Sequence, residues 1–449
     1  MKIAILTLLG VCIGVIIPAF GQDQIKYRRS SLHMVLVESG SYPNKESVVK
    51  AYKTYPFPEK YNKHLVGSEF LQRNVSEAEF KMLGFLKDTL KNPMLITKAV
   101  AQLKNVKMVG PEGKFGVVLP NSMDSMRAKV DLSIKKDHLA NQLLAKWFNA
   151  DAKGNFNTEL ILERGKYSAS EQDKELAAKM ATSADYLYDE ELIGNTFTVF
   201  CKFKFYPNEP VARIIKEAAM VEVNKNAQKG VPDFVTQKAI KGIEEVYQRT
   251  KEGYTLITTT LLYKLNWDKA TADIFKQRYI TEADPVKRKA FLDTTNLIGL
   301  TFLGDQTSTT LVTFKIGEKR TEDQVIDLSV KRNIDKVFAQ LQKEYQVFRP
   351  VSPISTNNPL TARIGLKEGL EPGQKFEVLE SRKDKKTGFY TWASIGTVKV
   401  DDKLPIWDNR IGAEEEGVNK DAQGNPLPQF TTFKGSSDAQ PGMHVIRLK

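Results

Sequence analysis

A chain of 449 residues, 41% hydrophobic and 27% charged, carries enough apolar material for a packed core and does not have a disordered or fibrous composition. Its formal charge of +12 suits contact with anionic partners. The lysines and arginines are spread along the whole chain, without the interleaved aromatics of a nucleic-acid platform, so no nucleic acid is expected.

The first residues are Met1-Lys2, then an uncharged apolar run over 3–17, then Pro18-Ala19-Phe20-Gly21 ahead of Gln22. A charged start, a short apolar stretch and small residues at 19 and 21 form the pattern of a secretory signal peptide over 1–21, cleaved near Gly21-Gln22. The run is shorter than the roughly 20 residues a membrane span needs, and none like it follows. The mature chain is therefore expected to have no transmembrane helix and to reside in the periplasm or at the cell envelope. Cleavage removes Cys12 and leaves Cys201 alone. No internal disulfide can form, and Cys201 reads as a small buried hydrophobe in a strand.

Residues 31–38 read as a strand and 44–52 as a short helix. Residues 54–68 read as an ordered loop pinned by its aromatics, because Pro56 and Pro58 keep the residues before them out of the helical region. Ser76 and Glu79 form a capping box before Phe80, Leu83, Leu86 and Leu90. A second helix is expected at 94–103 and a strand at 115–119. Asp137 is expected to cap a helix burying Leu139, Leu143, Leu144 and Trp147. A turn at 152–155 leads to an expected strand over 159–165, and Ser170 starts another helix.

The plainest pattern covers 192–205. Phe197, Val199, Cys201, Phe203 and Phe205 share one face of a strand, with Thr198, Lys202 and Lys204 on the other. Two helices, 209–228 and 232–249, are split by Gly230-Val231-Pro232 and precede a second long strand at 254–267. Residues 299–303 and 309–315 read as a hairpin around Gly304-Asp305. Val330, Ile334, Val337, Leu341 and Tyr345 place a helix over 322–345. Beyond Arg349-Pro350 glycine and proline become frequent and helical patterns fade. Strands at 376–379 and 395–400 flank a hairpin tip at 384–388, and 412–428 reads as a surface loop.

The expected fold class is α+β. An N-terminal α/β segment at 22–130 and a central α/β domain at 131–348 would form a mixed α/β region with long antiparallel strands. A small all-β domain, an SH3-like barrel, would follow at 350–449.

Helix 138–149, the run Leu160-Ile161-Leu162-Glu163-Arg164-Gly165, Ala184-Asp185 and strand 192–205 together resemble the α/β domain of the curli-secretion channel and flagellar-assembly lipoprotein group. In that likeness, strand 254–267 partners the strand that crosses the sheet. Ile364-Gly365-Leu366-Lys367-Glu368-Gly369-Leu370, with Gly373 and 376–379, looks like the small β-barrel appended to flagellar-assembly periplasmic proteins. Ile193-Gly194-Asn195-Thr196-Phe197 and Ile406-Trp407-Asp408-Asn409-Arg410 resemble secreted proteins of Bacteroidetes-type bacteria. These likenesses imply an envelope address and a scaffold, and no activity. The channel group's amphipathic membrane hairpins have no counterpart in this sequence, so pore formation is not expected.

Catalytic signatures do not stand out. The Gly-x-Ser-x-Gly elbow, the phosphate loop and the His-x-x-x-His pair are all missing from the sequence. His33, His64, His138 and His444 are far apart along the chain, and each is expected to be structural. Asn149 to Gly154 begins like a calcium loop, but Lys153 and Leu160 stand at positions that need oxygen ligands. Asp189-Glu190-Glu191 reads as a solvated turn. Glu414-Glu415-Glu416, Asp408 and Asp421 would bind calcium only if their oxygens converge. Asp88-Thr89-Leu90, Asp124-Ser125-Met126 and Asp293-Thr294-Thr295 resemble the O-glycosylation acceptor of that phylum. No catalytic, cofactor-binding or metal-ligating residue is singled out, and no cofactor is expected. The function expected is a non-enzymatic binding or scaffold module for an envelope protein or an anionic envelope polymer, with homo-oligomerisation left open. The alternative is a secreted hydrolase using cleft carboxylates.

Overall fold

The computed structural model describes residues 29–38, 42–67, 69–71, 123–165, 192–314, 320–383, 390–413, 429–435 and 438–448. The signal segment, the expected helices at 76–103, the expected strand at 115–119, the helix begun at Ser170 and the hairpin tip at 384–388 lie outside those residues.

In chain order, β1 (Ser31–Val37) leads to α1 (Lys45–Lys53), β2 (Asn62–Lys63) and β3 (Phe70–Leu71). Then come α2 (Met123–Lys136), α3 (Leu139–Trp147), α4 (Glu159–Gly165) and the long strand β4 (Thr196–Pro207). A helical hairpin follows, α5 (Asn208–Gln228) and α6 (Asp233–Thr250). The chain returns through β5 (Gly253–Leu265), α7 (Lys269–Phe275), α8 (Pro285–Thr294), β6 (Leu300–Thr313) and α9 (Glu322–Glu344). It ends in β7 (Ser352–Asn357), β8 (Leu360–Ala362), β9 (Lys375–Lys383), β10 (Tyr390–Val400), β11 (Thr431–Gly435) and β12 (His444–Arg447).

β1 is buried along its whole length, as an apolar strand inside a covered sheet must be. It pairs in parallel with β2, β3 and β4, while β4, β5 and β6 run antiparallel in the order β2-β1-β4-β5-β6. The period-two pattern of β4 holds. Phe197, Val199, Cys201 and Phe203 enter one core, beneath α1 and α9. Phe200 enters a second core on the opposite face, with Val35 and Val37 of β1, Leu261 of β5, and Met126 and Val130 of α2. The sheet is thus covered on both faces. A third cluster, around Trp147, Phe148, Phe275 and Tyr279, joins α3, α4, α7 and α8 at one end of the sheet.

α9, with 23 residues, is the longest described helix. Thr321 and Gln324 make its capping box, and Val330, Ile334, Val337 and Leu341 bury the stripe read from the sequence. The C-terminal strands close into a barrel, β10-β11-β8-β7-β12-β9, with antiparallel pairing throughout. Ile354, Val378, Val398, Phe433 and Val445 fill it. The α+β class and the small C-terminal barrel are as expected.

Three local expectations need correction. Residues 159–165 form helix α4 and not a strand: Asn157 Oδ1 accepts from Glu159 N (3.1 Å), Leu162 N bonds Thr158 O (3.0 Å), and Arg164 is drawn into a buried site. Residues 299–315 are not a hairpin. β6 passes through Gly304-Asp305 as one strand because β5 pairs with it from Gly253↔Thr313 to Leu265↔Leu300, with a shift of register at Leu303. Asp137 is not the cap of α3. His138 holds that position at φ 47° without a side-chain bond, and Asp137 accepts from Ser133 Oγ at 2.7 Å. Helices α2, α7 and α8 have weak apolar periodicity and were not expected.

Candidate functional site

The first concentration of chemistry is the pair His33 and His64. Parallel pairing of the chain beside β1 continues past β2, with His64 N bonding Leu32 O at 2.9 Å, and this brings the two histidines onto neighbouring strands. Both are fully buried. His64 Nε2 donates to Leu143 O (2.9 Å), and its Nδ1 accepts from Arg164 Nη1 (2.7 Å). The same Arg164 donates to Ser31 Oγ (2.9 Å) and Lys63 O (3.0 Å), and lies 4.7 Å over the Trp147 ring. His33 Nδ1 accepts from Val66 N (3.4 Å), and its Nε2 has no hydrogen-bond partner among the described residues. Burial, followed by the nearby Lys146 charge, pushes His33 down to about 3. Burial and the Arg164 guanidinium hold His64 well below the usual range. Two neutral imidazoles beside two cations, closed from solvent, pin α3 and α4 to the sheet. They cannot exchange protons with an outside substrate, and the adjacent positive charge opposes a metal ion. No group of three or more His, Cys, Asp or Glu suited to a metal ion occurs among the described residues.

The second concentration lies between the α/β body and the barrel. Tyr55 Oη donates to Asp335 Oδ1 (2.8 Å), and Lys367 Nζ lies 3.4 Å from the same oxygen. Lys60 Nζ pairs with Glu368 Oε1 at 2.8 Å, while Glu368 Oε2 accepts from Gly365 N (2.7 Å) and Asn409 Nδ2 (2.9 Å). Arg349 uses its whole fork on Gln342 O, Arg447 O and Lys343 O. Burial raises Asp335 to about 6. Burial also raises Glu368, but the Lys60 charge and its hydrogen bonds outweigh it, so Glu368 sits below its usual value. Two carboxylates moved in opposite directions are the pattern of an acid and base pair. The space is wrong for that role. The cavity lined by Lys60, Arg349, Glu368 and Arg447 measures about 30 Å³, room for one water and not for a sugar or peptide. The cluster clamps the barrel to the body.

The third feature is the outer edge of β6. This fourteen-residue strand, Leu-Thr-Phe-Leu-Gly-Asp-Gln-Thr-Ser-Thr-Thr-Leu-Val-Thr, has β5 on one side, and no described strand pairs with the other. It carries a single charged residue, Asp305. Sheet edges are usually blunted by charge, proline or short length, and beyond Asp305 this strand carries no charge or proline of its own as far as Thr313. Two of its carbonyls accept from side chains: Asp305 O from Tyr345 Oη (3.1 Å) and Thr309 O from Lys336 Nζ (2.6 Å). Residues four apart direct their carbonyls to the same side of a strand, so both side chains cap one edge. Next to that edge, Leu311 shares a small apolar groove with Ile215, Ala219, Ile243 and Tyr247 of the helical hairpin.

The remaining sequence candidates are dispersed. Cys201 is fully buried, and burial pushes its thiol up to about 12. His138 stands at the N-terminal end of α3 without a side-chain bond, and His444 is buried in β12, 4.8 Å from the Trp392 ring. Asp151 accepts from Lys153 N, Asn155 N and Asn155 Nδ2, which makes the would-be calcium loop a tight turn. Asp408 is buried and engaged by Arg410 at 2.6 Å. Thr294 is exposed at the end of α8, its hydroxyl donating to Ala290 O (2.7 Å). Asp88, the cluster 189–191, Glu414 to Glu416 and Asp421 lie outside the described residues. The sequence reading missed the β6 edge, since a strand's place in a sheet is not written in its own residues. A comparison with protein-family models finds none that matches this chain, and a comparison with curated proteins finds no match.

Proposed function

We propose that this protein is a non-catalytic binding module of the cell envelope that takes an extended segment of a partner protein onto the outer edge of β6. The observation behind the reading is the long, nearly uncharged edge strand with one open side among the described residues. Strand addition obtains affinity from main-chain hydrogen bonds and selectivity from pockets for alternate side chains. Beside the edge, Leu311 and the hairpin residues Ile215, Ala219 and Ile243 form an apolar surface that alternate side chains of an added strand would meet. Tyr345 and Lys336 hold two edge carbonyls until a partner strand displaces them. The clamped barrel keeps the body rigid, which lowers the ordering cost of docking. The signal pattern at 1–21 and the likenesses to envelope proteins support the compartment and belong to the same proposal.

The test is photo-cross-linking in intact cells from a reactive residue placed at Thr307. A discrete envelope partner is expected. Leu311→Pro should abolish the capture, because position 311 lies two residues beyond the capped Thr309 and presents its N–H to the same side, so the β5 ladder is spared. Tyr345→Phe should increase capture by exposing the Asp305 carbonyl. Recovery of the monomer alone, or capture indifferent to Leu311→Pro, would remove the reading. An N-terminus beginning at Gln22 on protein from the envelope fraction would support the compartment.

A further inference from the structure

The helical hairpin α5–α6 is spliced between two strands that already pair with each other from Phe197↔Lys264 to Pro207↔Tyr254. The sheet does not need it for closure. Its root is anchored: Asn208 is buried, donates to Val312 O (3.1 Å) and accepts from Thr255 Oγ1 (2.8 Å). Beyond the root the two helices rest mainly on each other. Lys216 pairs with Glu244 at 2.5 Å and lies 4.6 Å over the Tyr247 ring, and α6 has no buried residue at all. At 1.5 Å per residue, α5 reaches about 30 Å.

The far end is apolar and basic together. Phe234 is 74% exposed and Val235 41%, just after the Gly230-Val231-Pro232 turn, and Val221, 53% exposed, lies about two helical turns back along α5. Lys225, Lys229, Lys238 and Lys241, on the adjoining turns of the two helices, are exposed. The acids in this span are Glu222, 4.0 Å from Lys225, and Asp233. A phenylalanine this exposed supports nothing within its own chain, and a lysine ring opposes burial in a protein core.

We infer that this tip is a membrane-docking element, which seats Phe234 and Val235 at the headgroup boundary of an anionic lipid bilayer while the lysines meet its phosphates. Two observations select a bilayer over a second copy of the chain. The excess of lysine complements an anionic surface and would repel an identical tip. The exposed apolar area of one phenylalanine and two valines is about 300 Å² at most, far below the roughly 800 Å² per partner of a stable protein interface. A bilayer needs no such area, because a small apolar tip and a few lysines act together. This surface is separate from the β6 edge, and the two stand or fall independently.

The experiment is vesicle co-sedimentation with the chain purified from exporting cells, using phosphatidylcholine vesicles with and without phosphatidylglycerol. Binding is expected only with phosphatidylglycerol, and it should weaken as salt rises. Phe234→Ser should reduce binding by about tenfold or more. The triple variant Lys229→Glu, Lys238→Glu, Lys241→Glu should abolish it. Because Phe234 and these lysines are exposed, thermal melts should match the wild type, and cross-linking at β6 should persist in Phe234→Ser. Absence of sedimentation with both vesicles, or equal binding by Phe234→Ser, would overturn the inference. A concentration-dependent dimer lost in Phe234→Ser would overturn it in favour of a second copy.

Discussion

Lys60 Nζ lies 2.8 Å from Glu368 Oε1, and this ion pair ties the loop after α1 to the barrel with both side chains about one-sixth exposed. Burial lowers Lys60 and would raise Glu368. Each charge is therefore stable only with the other present. Removing one partner of such a pair leaves a buried charge uncompensated.

Glu368→Ala should accordingly cost about 3–5 kcal/mol in urea unfolding. The double replacement Lys60→Met with Glu368→Leu should recover only part of that loss, because Gly365 N and Asn409 Nδ2 also lose their acceptor. As a contrast, Arg382→Ala, which breaks an exposed pair with Glu380, should change stability by about 1 kcal/mol or less.

The two buried histidines predict acid lability. Their folded-state pKa values lie below the unfolded value, so the unfolded chain binds more protons at low pH. Their contribution is complete above about 6.5 and declines as pH falls below it, down towards about 3 for His33. At pH 4.5 His33 should cost up to about 2–3 kcal/mol relative to pH 7, and His64 acts in the same direction. Melting temperature followed against pH should fall over that window, and His33→Gln should flatten the fall.

Asp335 works in the opposite sense. Burial raises its folded pKa to about 6, so it favours folding below the unfolded value near 3.9, and that benefit is lost as pH rises through about 6. Asp335→Asn keeps an acceptor for Tyr55 Oη and removes the buried charge. The variant should be relatively more stable at pH 8 than at pH 4 when compared with the wild type in the same melts.

Cys201 should be inert. With its thiol fully buried and pushed up to about 12, a disulfide reagent should leave it unmodified in the native protein and titrate it on denaturation. Fast labelling in native buffer would contradict the placement of β4 in the core.

Gly304 should tolerate no side chain. A Cβ there would stand 1.9 Å from Tyr345 Oη. Gly304→Ala should displace the tyrosine from the Asp305 carbonyl and cost about 1–3 kcal/mol. In Tyr345→Ala the same glycine substitution should cost less, the remainder coming from the positive φ of 156° at Gly304, and a double-mutant cycle measures the coupling.

The errors of the sequence reading show where local pattern stops. Leu160-Ile161-Leu162 looks like a strand because three apolar residues in a row are ambiguous. What selects α4 is a cap from Asn157 and the buried partners of Arg164, which come from Ser31, Lys63 and His64. Gly304-Asp305 looks like a turn, and the glycine is needed instead for the close approach of Tyr345.

What the sequence alone determined follows from contacts between near neighbours. The alternating faces of β4, the split helices α5 and α6, the buried stripe of α9 and the change to short strands after Arg349-Pro350 all arise from side chains two to four residues apart. Only the tertiary structure decided that His33 meets His64, that Lys60 meets Glu368, and that β6 ends the described sheet with one side open. Those relationships join residues from 31 to 308 positions apart in the chain, and parallel pairing, helix docking and strand order set them after local structure has formed.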